Sequence, residues 1–80
     1  MKHLYINHAA RMFRVARALT DSKQDAEDVV GEACVALIRK ISLLRTLERN
    51  VLEGYIISTV KNAAYALHRR RKSRKEADDG

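Results

Sequence analysis

The sequence predicts an all-α protein, a compact three- to four-helix bundle, and three observations carry that expectation. Apolar residues recur at intervals of three and four along most of the chain, the spacing of one helix face, with no strand-like alternation. Proline is absent and the only glycines are Gly31, Gly54 and Gly80, so little interrupts long helices. Polar and charged residues fall in phase on the faces opposite the apolar stripes.

The first helix is predicted from about His3 to Leu19. Tyr5, Ala9, Met12, Phe13, Ala16 and Leu19 form its apolar stripe, and Asn7, Arg11 and Arg14 face outward. Thr20-Asp21-Ser22-Lys23 is the break. In Ser22-Lys23-Gln24-Asp25, Ser22 can cap the free amides of a second helix and Asp25 can reach back, as in a capping box. That helix has a core stripe of Ala26, Val29, Val30, Ala33, Cys34, Leu37 and Ile41. Asp25, Asp28 and Glu32 line up on its exposed side, and carboxylates in the first turns suit the positive end of the helix dipole.

Residues 42–53 are less regular. Leu44, Leu47 and Val51 suggest one short helix, with a bend near Arg49-Asn50 and a hinge at Gly54. The final helix carries Ile56, Ile57, Val60, Ala63, Ala64 and Leu67 on one face. Ser58, Lys61, Asn62, Tyr65, His68, Arg69 and Lys72 occupy the other. Glu76 to Gly80 is polar, so the domain is expected over 1–75 and a linker or frayed tail over 76–80. Phe13, Val30, Leu37, Val60 and Leu67 are the expected shared core.

Eighty residues make one small domain, near the lower limit for a core without metal or disulfide support. A single cysteine, Cys34, allows no intrachain disulfide and points to a reducing, cytoplasmic setting. No apolar run approaches the roughly 18 residues that span a bilayer, so no membrane association is expected. Net charge is +6, but its placement says more. Residues 25–32 are acidic without a cation, whereas residues 61–75 hold seven cations and no anion. The basic stripe, with amide and phenol groups among its cations, suits nucleic acid, where phosphate contacts give affinity and base contacts selectivity. The acidic stretch suits a basic protein partner, or is simply a solvated helix face.

Catalysis is not expected. No glycine-rich phosphate loop or nucleophile elbow accompanies the serines and histidines. His3 and His8 are off a common helix face and no paired Cys/His ligands exist, so neither metal nor cofactor is implied. Cys34 lies on the core stripe, where an inert thiol is the ordinary outcome.

Two stretches carry a family resemblance. Asp25-Ala26-Glu27-Asp28-Val29-Val30-Gly31-Glu32-Ala33 resembles the D-A-E-D-hydrophobic-hydrophobic-Q-E signature of bacterial sigma factors. Tyr55 to Arg71, YIISTVKNAAYALHRRR, resembles their W-L-x-x-I-A-[RK]-N-x-x-x-D-x-x-R-R-[RK] helix, in the same order and helical phase. Together they cover most of the chain, which is similar in extent to the second conserved domain of the sigma-70 family, in the style of its small, extracytoplasmic-function members. Four positions depart from the pattern: Gly31 for Gln, Cys34 for an aromatic residue, Tyr55 for Trp and Ala66 for Asp. Gly31 removes a polar contact and costs about 1 kcal/mol of helix propensity relative to alanine.

The resemblance implies a non-enzymatic domain that binds core RNA polymerase and recognises and helps melt the −10 promoter element. Asp25, Glu27, Asp28 and Glu32 match positions that dock on the coiled coil of the β′ clamp, and carboxylates suit bidentate contacts from its arginines. Lys61, Asn62, Tyr65, Arg69, Arg70, Arg71 and Lys72 match or neighbour positions that hold the non-template strand of the −10 element. Opening a duplex costs on the order of a few kcal/mol per extruded base. Without hydrolysis, selective binding of the open strand must offset that cost. An amide such as Asn62 can pair with a base edge, aromatic rings can stack and cations can track phosphates. Tyr55 reads both as a stacking ring and as a core anchor. Two alternatives stand beside this reading: a free-standing basic helical module that binds DNA or RNA, and a protein-interaction domain that binds an anti-sigma factor.

Overall fold

The computed structural model describes residues 2–79, with side chains described over 8–72. Four helices follow one another: α1 (Lys2–Leu19), α2 (Lys23–Arg39), α3 (Ile41–Leu44) and α4 (Arg49–Asp79). No strand occurs among the described residues. The three long helices pack pairwise into a bundle, and the short α3 rests on the end of α2. A helix of 31 residues rises about 46 Å, so α4 alone accounts for the 48 Å long dimension of the protein.

The turn between α1 and α2 forms as its polar residues dictate. Ser22 is extended, and its hydroxyl accepts a hydrogen bond from the Asp25 amide at 3.1 Å. The Thr20 hydroxyl donates to the Ala16 carbonyl at 2.8 Å, satisfying one of the free acceptors at the end of α1. The reciprocal half of the expected capping box is replaced, because the Asp25 carboxylate turns to Arg71.

At the centre of the bundle lie Met12 and Ala16 of α1, Ala26, Val29 and Ala33 of α2, and Ile56, Val60 and Ala64 of α4. Four of these eight are alanines with no exposed surface. Small residues at crossing points let helix axes approach closely, so the larger side chains are displaced to the rim. Phe13, Val30, Leu37 and Leu67, expected as shared core, pack partly buried around this centre, and only Val60 of the expected five is fully enclosed. Tyr5 and Asn7 lie outside the described side chains.

Two expectations for the middle of the chain are corrected. Ile41, expected on the core stripe of α2, is about half exposed, as is Val51, whereas Leu44 is buried. Gly54 is not a hinge: α4 begins at Arg49 and runs through it. The physical reason is that Leu52 and Ile56, four apart on one face, both pack into the core, and that burial outweighs the roughly 1 kcal/mol helix cost of glycine. Glu53, paired with Arg11 of α1 at 3.4 Å and Arg49 at 3.8 Å, braces the first turn. Helical backbone continues to Asp79, and Gly80 lies outside the described residues.

Candidate polymerase and nucleic-acid faces

A helix turns about 100° per residue, so a run of cations cannot all point one way. Leu67 packs on the core, which places the residues three and four beyond it, Arg70 and Arg71, on the same inward side. Lys61, Asn62, Tyr65, Arg69 and Lys72 are exposed on the outward side of α4, together with Ser58. Tyr65 keeps 53% of its surface free, so its ring is available for stacking. The seven residues expected to meet DNA therefore divide into an outward stripe of five and an inward pair.

The inward pair meets α2. Arg71 donates two hydrogen bonds to the Asp25 carboxylate, at 2.6 and 2.5 Å, and Arg70 donates to Glu32 at 2.8 Å. Both arginine side chains remain more than half exposed, but their guanidinium groups already have carboxylate partners. Arg69 and Lys72, by contrast, are exposed on the outward side of the helix. Counting phase from Leu67 would have revealed the division in the sequence.

One expectation for the acidic helix is corrected. Asp25 is buried, not exposed, with only 7% of its surface accessible. Its hydrogen bonds from Arg71 hold its carboxyl below the usual carboxylate range, against the opposing push of burial; the Arg71 charge, the Ser22 hydroxyl and His68 add to the lowering. Arg71 is raised in turn, chiefly by the same hydrogen bond. Glu27 and Asp28 are exposed, and Glu32 is exposed while engaged with Arg70. Asp28 and Glu32 line a cleft of about 360 Å³ with Leu67, Arg70 and Arg71.

The two faces also meet higher along α4. Glu32 and Asn62 border a shallow groove of about 370 Å³ between α2 and α4, floored by Ala33, Ala36 and Ala63 and flanked by Tyr55 and Thr59. Tyr55 is half-buried at its edge, combining an anchor's position with an accessible side. His68, expected only as part of the polar stripe, holds the Leu19 carbonyl through Nε2 at 2.8 Å and ties α4 to the end of α1.

Asp25 thus belongs to the frame that orients α4. Because its carboxyl is depressed in the folded state, its contribution is complete above the unfolded value of about 3.9 and is lost as pH falls through the folded value. Asp25→Asn is expected to destabilise the protein at pH 7 and to differ less from wild type at pH 3. Denaturant unfolding at the two pH values checks this, and an equal difference at both would refute the ion pair's role.

The Sigma-70 region 2 family model matches residues 4–74. Searches among curated proteins and among solved structures returned no significant match. No described helix is long and apolar enough to cross a membrane.

Proposed function

The chain belongs to the sigma-70 region 2 family, a family of RNA polymerase binding and promoter recognition in transcription initiation, and from that premise we propose a division of labour between its helices. The outer face of α2 docks on the β′ clamp coiled coil of core RNA polymerase through Glu27 and Asp28, with Glu32 at its edge. The outward stripe of α4 holds the non-template strand of the −10 element in the cytoplasm, and no catalytic step is involved. Asn62 reads a base edge, Tyr65 offers a stacking surface, and Lys61, Arg69 and Lys72 follow phosphates. Asp25 and Arg71 are positioning residues that keep the two faces in register.

The observation that carries this reading is the segregation of charge in space. Carboxylates with free surface sit on α2, and the unpaired cations described on the outer side of α4 cluster around Asn62 and Tyr65. An anionic strand and a basic helix therefore approach different sides of one rigid bundle.

Replacing Glu27 and Asp28 together by lysine is expected to weaken capture by core polymerase about tenfold or more, with helicity by circular dichroism retained. Both residues lie outside the core, so the fold has no reason to fail. Undiminished capture of the folded double variant would remove α2 as the docking face and favour a free-standing nucleic-acid module.

A further inference from the structure

Glu32 stands at the junction of the two faces. Its side chain is 44% exposed at the edge of the proposed docking surface, yet its carboxylate receives the Arg70 guanidinium from the DNA-binding helix. We infer that Glu32 couples the two binding events: a cationic partner helix docking on α2 draws Glu32 away from Arg70, and the freed guanidinium becomes an additional phosphate contact. The inference rests on the division of labour proposed above.

The contrast between the two ion pairs identifies which one exchanges. Arg71 makes two hydrogen bonds to a carboxylate that is only 9% exposed, so that pair is built into the frame. Arg70 makes one hydrogen bond, and both members of its pair are accessible from outside. Arg70 and Arg71 share a cleft with Asp28 and Glu32. A partner arginine entering to reach Asp28 and Glu32 meets two guanidiniums already there. Like-charge repulsion then favours release of the less firmly held one, Arg70.

Coupling of this kind is reciprocal: whatever raises the affinity for one ligand raises it equally for the other. The size is bounded by the worth of an exposed ion pair, which corresponds to about a 2- to 5-fold change in affinity. That is a modest bias, and by the same reciprocity it favours the doubly bound state whichever ligand arrives first.

The test uses the whole chain and core RNA polymerase without DNA. Arg70→Gln is expected to bind polymerase about 2- to 5-fold more tightly than wild type, because Glu32 is freed in advance. In a Glu32→Gln background the same substitution is expected to change nothing. On the other ligand, a fluorescently labelled single-stranded oligonucleotide, Glu32→Gln is expected to steepen the salt dependence by roughly 0.7, one added phosphate contact. Glu27→Gln, which removes the same charge from a site without Arg70, is expected to leave the slope as it is. A folded Arg70→Gln variant with unchanged or weaker polymerase binding overturns the coupling. If Arg70→Gln fails to fold, Glu32→Gln decides alone, and an unaltered salt slope overturns it. A wild-type chain that does not bind polymerase overturns the underlying division of labour instead.

Discussion

Ile56→Ala is expected to remove about 2–5 kcal/mol of stability, the largest effect of any single truncation considered for this protein. A domain of this size holds about 4–12 kcal/mol in all, so the variant is expected to melt far below wild type or to be partly unfolded at room temperature. Ile56 lies with Met12, Val29 and Val60 in the buried centre, where three helices meet and none can move inward without disturbing the other two. A cavity left there cannot collapse cheaply. Ile38→Ala makes the same chemical change at a side chain on a residue 67% exposed, and is expected to shift stability by no more than about 0.5 kcal/mol. Thermal and denaturant melts of the two variants check the pair. Similar melts would show that α4 is not held by this core.

The second large effect concerns the outward stripe of α4. Replacing Lys61, Arg69 and Lys72 together by alanine is expected to flatten the slope of log affinity against log salt by about 2, at roughly 0.7 for each lost phosphate contact on a single strand. Affinity at low salt is expected to fall with it, for all sequences alike. Asn62→Ala is expected to behave differently, changing the ranking of single-stranded −10-like oligonucleotides while leaving the slope intact. Arg71→Ala supplies the contrast within the basic run: it is expected to lower stability with little change in slope, since its guanidinium serves Asp25. The measurement is titration of labelled oligonucleotides over a salt series, with the assembled holoenzyme as a second format. A slope that falls equally for Arg71→Ala and Arg69→Ala would show that the inward and outward cations are equivalent.

Much of the architecture was legible in the residues. The spacing of Met12, Ala16, Ala26, Val29, Ala33, Val60 and Ala64 marks the buried faces, and each of these side chains lies at the centre of the bundle. Ser22 reads as a cap and caps. The errors fall where a local signal was opposed by packing. Gly54 reads as a hinge by propensity, but Leu52 and Ile56 on either side of it bury together and carry the helix through. Ile41 reads as core by its place on the stripe of α2, but α2 ends at Arg39 and Ile41 opens the short α3, about half exposed.

What the sequence by itself determined is the all-α fold, its buried faces, and the separation of an acidic helix from a basic one. These follow from periodicity and composition, which act over one or two turns. Only the tertiary structure decided which charges are free. Asp25 and Arg71 lie 46 positions apart, and Glu32 and Arg70 lie 38 apart. Helical phase turns Arg70 and Arg71 inward, but nothing local names the carboxylates that they meet. Their pairing depends on the angle at which α4 lies across α2. That angle is set by Ala26, Val29, Ala33, Val60 and Ala64 in the core between the two helices, far along the chain from one another and in contact only when folded.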